Sequence, residues 1–372
     1  MKNNHIKYFK IENFKKFTSL EVKNIGLINL IVGDNNVGKT CFLESLLFNE
    51  NFIVWINNLH VTLDIRGINF DAKNVFSENA EFPANSYFDY LVRDLKKPLN
   101  IKYTTTNCKD EELSILYSKF NDLTKEDFQK RKDKFNYNNL EHWLKFFKNS
   151  KFEELQFLYQ DNFVTLDGYW PFITFNISYN SDIERFLKIM DQKRDEDLQK
   201  LNDLSYNHKQ ELINTLNGVF DLKIVDYITK NHGDNSILCI ATEENKNYTP
   251  VTLLGDGFNK IFRYIVEIIF VRQRGENRIM IDEIDTGIHY SKLKDFWFNI
   301  IKICKDLDVQ LFATTHSKDC IDAIVEASKE IGNLKSEIRL IKLLESKDKN
   351  IKAITYPFNE FEYLVETQTE TR

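Results

Sequence analysis

Residues 27–48 read LINLIVGDNNVGKTCFLESLLF, and the order of segments in this stretch indicates the fold class. Residues 27–32 are almost all apolar, as in a buried strand, and residues 41–48 have the apolar spacing of a helix. Between them, residues 33–40 match the pattern GxxxxGK[ST] in full. Because this pattern binds phosphate when it lies between a strand and a helix, we predict a phosphate-binding loop.

Each residue type in this loop has a physical role in holding a nucleotide. The glycines let backbone N–H groups curl around phosphate oxygens, and the start of the next helix adds positive potential. Lys39 is expected to reach the β and γ phosphates, and the Thr40 hydroxyl is expected to ligate Mg²⁺. The alternative, a glycine turn that only joins strand to helix, explains less of the pattern. The predicted ATP-binding residues are Gly33, Asp34, Asn35, Asn36, Val37, Gly38, Lys39, Thr40 and Cys41.

A second decisive segment, IMIDEIDTGIHYS at residues 279–291, places three acids directly after an apolar run. Buried charges are costly unless they are paired or hold a metal ion, so three acids at this position indicate a bound cation. We predict that Asp282 holds the Mg²⁺ of the nucleotide and that Glu283 orients or deprotonates the attacking water. The alternative is a solvated acidic turn after a core strand. For Asp285, a subunit contact and a cap on the next helix stay equally open.

A histidine follows another apolar strand near the end of the chain. Residues 313–317 read ATTHS, so His316 should emerge at the same sheet edge as Asp282 and Lys39. A neutral imidazole there can hydrogen-bond a γ-phosphate oxygen or the attacking water. A histidine after a strand is by itself more often structural, but its place after the acidic strand favours catalysis. The predicted catalytic residues are Lys39, Glu283 and His316.

Residues 253–260, LLGDGFNK, form a glycine-bearing loop at the start of a long apolar helix. Alone, this loop is an ordinary helix start with Asp256 near the N-cap. Together with the other motifs, it becomes a second anion site, whose free N–H groups would face the γ-phosphate of a partner's nucleotide.

The composition excludes several classes of protein. The chain has 372 residues, 42% of them hydrophobic, and a net charge of −6. No run reaches the roughly 18 apolar residues of a membrane span, and the start lacks the apolar core of a signal peptide, so we expect a cytoplasmic protein without a membrane partner. Five scattered cysteines without a CxxC pair argue against disulfides and a zinc site. Any nucleic-acid contact must come from a local basic patch.

The chain divides by pattern into a split head, residues 1–54 and 206–372, and an inserted lobe, residues 55–205. Strands alternate with helices in the second half of the head, which predicts parallel strands ending at functional loops. The lobe has a charged, aromatic and helical pattern over residues 122–159. We therefore predict an α/β fold of the P-loop class, with a mixed sheet core and an inserted α-rich or mixed lobe. Predicted helices lie at 196–220, 261–273 and 292–307, and predicted strands at 98–106, 169–179, 221–228, 236–244, 278–281 and 309–317.

The set and order of these motifs resemble the ABC-class ATPases of the SMC, RecF and OLD (overcoming lysogenization defect) group. Residues 6–22 resemble the opening strands of that group, and residues 253–260 resemble a divergent signature loop. Residues 279–291 resemble a Walker B strand with a D-loop, and residues 313–317 resemble the H-loop. The likeness is strongest to stand-alone OLD-like ATP-binding proteins of bacterial anti-phage systems. It covers roughly residues 1–50 and 210–372 and leaves the middle lobe unassigned.

The resemblance implies further roles for named residues. It places Asp285 and His289 in the D-loop, and it places Lys15 where relatives often have a basic residue near the nucleotide. It also implies an ABC-type head that forms a head-to-head dimer or a higher homo-oligomer. The residues that would then act in trans on the partner's ATP are Gly255, Asp256, Gly257 and Lys260.

Departures from the group's pattern shape the functional hypothesis. The usual signature serine is absent, with Gly255 near its place, so turnover should be slow. The residues after His316 are too few for the Toprim nuclease of OLD proteins. The resemblance therefore implies a Mg²⁺-dependent ATPase that acts as a dimerising switch, senses a trigger and controls a separate nuclease or toxin in anti-phage defence. The alternative is a RecF-like, ATP-dependent DNA-binding repair protein, which the acidic charge and the divergent signature disfavour.

Overall fold

The structure is a computed structural model. The two largest β-sheets in the part that it describes have six and seven strands. The residues that it describes are 5–47, 92–94, 96–107, 110–119, 142–148, 151–159, 162–165, 185–187, 201, 204–220, 222–232, 235–273 and 277–367. The predicted strand at 169–179 and residues 122–141 of the predicted helical pattern lie outside the described residues.

The elements are numbered in chain order. The strands are β1 Ile6–Phe14, β2 Phe17–Val22, β3 Ile28–Val32, β4 Leu99–Thr105, β5 Asp110–Lys119, β6 His142–Lys148, β7 Lys151–Tyr159, β8 Asn162–Thr165, β9 Arg185–Leu187, β10 Ile224–His232, β11 Asn235–Thr242, β12 Thr249–Pro250, β13 Arg278–Ile281, β14 Gln310–Thr314, β15 Ile338–Glu345 and β16 Ile351–Pro357. The helices are α1 Lys39–Ser45, α2 Tyr206–Phe220, α3 Asp256–Gln273, α4 Leu293–Asp306, α5 Lys318–Ile331 and α6 Phe358–Glu366.

A six-stranded mixed sheet forms the core of the head, with strand order β16, β15, β3, β14, β13, β9. Strand β16 is antiparallel to β15, and the other neighbouring pairs are parallel. Strands β3, β13 and β14 are buried along their whole length, as expected for strands covered on both faces. Their carboxyl ends lie side by side, so the loops that follow them meet at one edge of the sheet. The predicted mixed sheet is confirmed.

The two faces of this sheet belong to two hydrophobic clusters, because side chains alternate along a strand. Leu30 and Leu311 point into the cluster that the helices α2–α6 cover, where Trp297 is fully buried. Ile31 and Phe312 point into the other cluster, which strands β1, β2 and β4 and helix α1 complete. Helix α1 is thereby held against the sheet beside the loop that precedes it.

A second sheet is antiparallel, with strand order β2, β1, β4, β5, β6, β7, β8. The helical prediction is wrong at residues 142–148 and 151–159, which form the antiparallel pair of β6 and β7. Helix-forming Lys and Glu favoured a helix there, but pairing with β5 overrides such local preferences. Strands β4 and β9, from the predicted lobe, pair with β1 and β13 of the head. The division of the chain into head and lobe stays a prediction.

The remaining predicted elements of the head are confirmed in the described residues. Helices α3 and α4 and strands β13 and β14 lie where the apolar patterns predict them, and the helix predicted at 196–220 is confirmed over Tyr206–Phe220. Residues 196–200, 202 and 203 of that prediction lie outside the described residues. The strands predicted at 221–228 and 236–244 are confirmed as β10 and β11, which pair antiparallel. Within the described residues, no helix is both long enough and apolar enough to cross a bilayer. The cytoplasmic location stays a prediction.

Candidate functional site

The phosphate-binding loop has a backbone that only glycine accepts at its two key positions. Gly33 and Gly38 have φ angles of +145° and +110°. A Cβ atom at Gly33 would lie 2.4 Å from the carbonyl oxygen of Leu343. The loop turns through a hydrogen bond from the Val37 N–H to the Asp34 carbonyl (3.3 Å), and it leads directly into α1. The sequence thus forms the strand, loop and helix that phosphate binding requires.

The remaining predicted loop residues differ in their exposure to solvent. Asp34, Asn35 and Asn36 are exposed, whereas Val37 is buried. Thr40 and Cys41, at the start of α1, are half-buried.

The Lys39 amine lies inside the loop. It donates hydrogen bonds to the carbonyl oxygens of Gly33 (2.6 Å) and Asp34 (2.8 Å), and it lies 3.4 Å from Nδ1 of His316. Burial lowers the pKa of Lys39, while the neighbouring carboxylates Asp282, Asp34 and Glu283 raise it. The loop's own carbonyl groups therefore hold a cation at the place where phosphate oxygens would bind.

Asp282 lies at the carboxyl end of β13, and both of its side-chain oxygens are engaged. Oδ2 accepts a hydrogen bond from the Thr40 hydroxyl (2.8 Å), and Oδ1 accepts one from the Thr314 hydroxyl (2.6 Å). A hydroxyl and a carboxylate are hard oxygen donors, and Mg²⁺ is commonly held by one or two carboxylates together with substrate phosphates. Thr40 and Asp282 therefore fit the predicted Mg²⁺. Within the described ranges, no cluster of three or more His, Cys, Asp or Glu side chains forms an all-protein metal site.

Glu283 follows Asp282 in a strained conformation at the mouth of the site. Its φ angle is +49°, which is uncommon for a residue other than glycine. Its N–H donates to the Thr314 hydroxyl oxygen (2.8 Å), and its carboxylate is exposed. An exposed carboxylate beside the predicted metal ligand can approach a bound water.

His316 is brought to the same edge by β14. Partial burial and the cation of Lys39 lower the pKa of His316, against the opposite effect of Glu283, Asp282 and Asp285. The imidazole is therefore neutral near pH 7, as the predicted role requires. The side chains of Lys39, Thr40, Asp282, Glu283 and His316 thus lie in the segments that follow three neighbouring parallel strands, β3, β13 and β14.

The D-loop is tied to the H-loop through Asp285. Its Oδ1 atom accepts a hydrogen bond from the Thr315 hydroxyl (2.6 Å). The next helical turn is capped by His289, whose side chain accepts from the Ser291 N–H, so Asp285 is not that cap. A role of Asp285 and of the exposed His289 in a subunit contact stays a prediction.

The predicted signature loop rests on the D-loop of the same chain. Gly255 has a φ angle of +90°, and α3 begins directly after it. A Cβ atom at Gly257 would lie 3.1 Å from the Gly287 carbonyl oxygen, and the Lys260 amine donates to the Thr286 carbonyl. Burial lowers the pKa of Lys260. The side chain of Asp256 is not among the side chains that the structure describes. Signature loop and D-loop thus form one continuous surface, and their action in trans stays a prediction.

Lys15 and Lys16 lie in the turn between β1 and β2 and have different partners. The Lys15 amine forms an ion pair with Glu44 of α1 at 2.7 Å, with side-chain exposures of 7% and 2%. The Lys16 amine instead contacts the phosphate loop, at 2.6 Å from Oδ1 of Asn36. The nucleotide contact predicted for Lys15 stays a prediction.

Sequence reasoning did not identify Lys16, Thr314 or Thr315 as functional candidates. The two threonines stand directly before His316 at the end of an apolar strand. Hydroxyl groups at such a buried position were the available signal, because buried polar groups need partners.

Residues 28–319 match the protein family described as "AAA domain, putative AbiEii toxin, Type IV TA system". Because the match spans most of the chain, the protein belongs to this family. With a complete phosphate loop after a buried strand of its mixed sheet, it is an ATPase of the P-loop class.

Some known proteins are similar to this chain along almost its whole length. The chain is 24% identical to an ATP/GTP phosphatase of Helicobacter pylori over 392 residues, which cover 98% of each protein. Among solved structures it is similar to the SMC head domain from Thermotoga maritima, with 11% identity, a TM-score of 0.46, and 95% and 99% of the two chains covered. It is also similar to the Smc head domain with an extended coiled coil bound to the C-terminal domain of ScpA, derived from Pyrococcus furiosus, with 11% identity, a TM-score of 0.48, and 98% and 100% covered.

Proposed function

We propose that this protein is a Mg²⁺-dependent ATPase that closes into a head-to-head dimer when ATP binds and controls a separate effector. One observation carries the proposal. The Thr40 hydroxyl lies 2.8 Å from the Asp282 carboxylate, at the edge where the Lys39 amine lies 3.4 Å from His316. A phosphate-binding cation, a metal-binding pair and a neutral imidazole at one point support transfer of a γ-phosphoryl group to water.

Each side chain has a defined part in the reaction. Lys39 binds the β and γ phosphates, and Thr40 and Asp282 hold Mg²⁺, which would neutralise charge on the phosphates. Glu283 accepts a proton as water attacks the γ-phosphorus and the bond to the ADP oxygen breaks. The neutral imidazole of His316 donates a hydrogen bond to a γ-phosphate oxygen or orients the water. Phosphate and ADP are the products.

The dimer is supported by the surface formed by the signature loop and the D-loop. Leu253 and Tyr290, large apolar side chains on this surface, are 74% and 69% exposed. Exposed apolar groups at a functional loop are typical of a contact surface. In the dimer this surface covers the ATP of the second copy, and backbone N–H groups near Gly255 supply the anion contacts. Because no serine strengthens these contacts, turnover is slow.

Control of an effector is supported by the family and by the sequence resemblance. The family description names a toxin of a type IV toxin–antitoxin system, and the motifs resemble OLD-like ATPases of anti-phage systems. We infer that ATP-driven closure and hydrolysis change the surface that a separate nuclease or toxin recognises. The name of the Helicobacter relative adds GTP as a second substrate to be tested.

The test combines turnover of ATP and GTP with mass measured by light scattering, for wild type and Glu283→Gln. We expect Glu283→Gln to lower turnover by about a hundredfold or more and to hold an ATP-dependent dimer, because it binds ATP without activating water. Glu244→Gln, at an exposed acid on the β11 side of the head, is the matched control. The proposal would be contradicted if Glu283→Gln hydrolysed ATP as fast as wild type, or if ATP left the mass of both proteins unchanged. Duplex DNA added to the same light-scattering assay tests the RecF-like alternative, which requires the protein to bind DNA when ATP is present.

A further inference from the structure

One hydroxyl group contacts both acids of the site. Thr314, the last residue of β14, has no solvent exposure. Its hydroxyl donates to Oδ1 of Asp282 at 2.6 Å and accepts from the backbone N–H of Glu283 at 2.8 Å. A fully buried strand end would be expected to carry an apolar residue, and a buried hydroxyl is tolerated only where its hydrogen bonds are made. Here one bond is to the Asp282 carboxylate and the other is to the Glu283 backbone.

The bond to Oδ1 selects one orientation of the Asp282 carboxylate. With Oδ1 tied to Thr314, Oδ2 faces the Thr40 hydroxyl, which is the other predicted Mg²⁺ ligand. Supporting bonds of this kind orient metal ligands and tune metal binding. Thr314 thus acts on the metal ligand without being a ligand itself.

The bond from the Glu283 N–H acts on the second acid through its backbone. Glu283 has a left-handed conformation, with φ at +49°, which costs free energy for a residue with a Cβ atom. Thr314 holds this segment twice, since its carbonyl also accepts from the Ile284 N–H at 3.0 Å. Strain at an active site persists only where the surroundings impose it. The strained backbone is what directs the Glu283 side chain out of the core.

We propose that Thr314 is a positioning residue whose single hydroxyl orients Asp282 for Mg²⁺ and Glu283 for the attacking water. The proposal rests on the ATPase function proposed above. Loss of the hydroxyl leaves the Glu283 N–H without its partner and frees the Asp282 carboxylate to rotate. Both consequences arise without any change in the residues that touch ATP.

The test compares Thr314→Val, which keeps the shape and removes the hydroxyl, with Thr314→Ser, which keeps the hydroxyl. Steady-state turnover gives kcat and KM, and a fluorescent ATP analogue gives the Kd in Mg²⁺ and in EDTA. We expect Thr314→Val to lower kcat about tenfold to a hundredfold and to reduce the gain in affinity that Mg²⁺ provides, because a bond to a charged group is lost. Thr314→Ser should restore most of both.

Two controls separate positioning from stability. Ser328→Ala removes another fully buried hydroxyl, whose bond is to the Ile324 carbonyl in α5, away from the acids. We expect it to lower stability and to leave the Mg²⁺-linked affinity unchanged. If Thr314→Val does not fold, Thr314→Cys, whose thiol is only a weak donor, takes its place against Thr314→Ser.

The outcomes distinguish this inference from the proposed function. A wild-type protein that hydrolyses no ATP contradicts the proposed function itself. An active wild type with unchanged kcat and unchanged Mg²⁺-linked affinity in Thr314→Val overturns the positioning role. A Thr314→Ser protein as impaired as Thr314→Val also overturns it, because shape and not the hydroxyl would then matter.

Discussion

Replacing Lys15 by Met should destabilise the head strongly, because it breaks a buried ion pair. The amine of Lys15 and the carboxylate of Glu44 are 2.7 Å apart, with side-chain exposures of 7% and 2%. Removing one partner of a buried ion pair costs about 3–5 kcal/mol, because the remaining charge loses the opposite charge that offsets its burial. That is a large fraction of the roughly 5–15 kcal/mol by which a protein is folded. We therefore expect a clearly lower urea midpoint for Lys15→Met.

The double variant shows whether the pair is responsible for this loss. Lys15→Met with Glu44→Leu removes both charges, and most of the lost stability should return, since apolar residues often replace buried ion pairs at little cost. Lys294→Met, in an exposed pair with Glu330, is the matched control and should change the midpoint little.

ATP binding decides between the structural role of Lys15 and the role implied by resemblance. Glu44 lies in α1, directly after the phosphate loop, so the single variant should bind ATP less tightly only as far as it loosens this helix. The double variant should recover ATP affinity together with stability. A Lys15→Met protein with an unchanged urea midpoint and strongly weakened ATP binding would refute the reasoning and assign Lys15 to the nucleotide.

Three further predictions concern the phosphate loop and its surroundings. Gly33→Ala should abolish ATP binding, because a Cβ atom would lie 2.4 Å from a backbone carbonyl oxygen, and isothermal titration measures this. Lys16→Ala should raise the KM for ATP severalfold with little change in kcat, because its amine contacts Asn36 of the loop. The acid limb of the kcat profile should lie below pH 6.5 and disappear in His316→Gln, because partial burial and the Lys39 cation lower the pKa of His316.

The lowered pKa of His316 also determines how the stability of the protein changes with pH. Because folding lowers the pKa of His316, the folded protein binds fewer protons, and stability is lost as pH falls from 6.5 through the folded pKa. Urea midpoints at several pH values measure this loss, which His316→Gln should diminish.

For the loop variants, normal ATP binding by Gly33→Ala or an unchanged KM in Lys16→Ala would contradict the assigned contacts.

The core of the site could be predicted from the sequence because its signals are local. Residues 33–40 carry a complete loop pattern between strand and helix, and Asp282 and His316 each follow an apolar strand. Parallel strands bring their carboxyl ends to one edge, so the meeting of these residues followed from strand order alone.

What the sequence did not predict depends on contacts between distant segments. Strands β6 and β7 carry helix-forming residues, and their pairing with each other and with β5 overrides that preference. The role of Thr314 depends on a hydroxyl that meets Asp282 from a neighbouring strand, across a separation of 32 residues. The different partners of Lys15 and Lys16 depend on the direction in which a tight turn points each side chain. Such directions are set by packing and not by residue type.

A mixing experiment tests the shared site most directly. Glu283→Gln binds ATP without activating water, and Leu253→Glu places a negative charge on the exposed surface that would face the partner's ATP. Each variant alone should be nearly inactive. A one-to-one mixture should recover about a quarter of wild-type turnover, because half of the dimers are mixed and each mixed dimer has one complete site. A mixture no more active than its components, or a fully active Leu253→Glu protein, would contradict an ATP site shared between two copies.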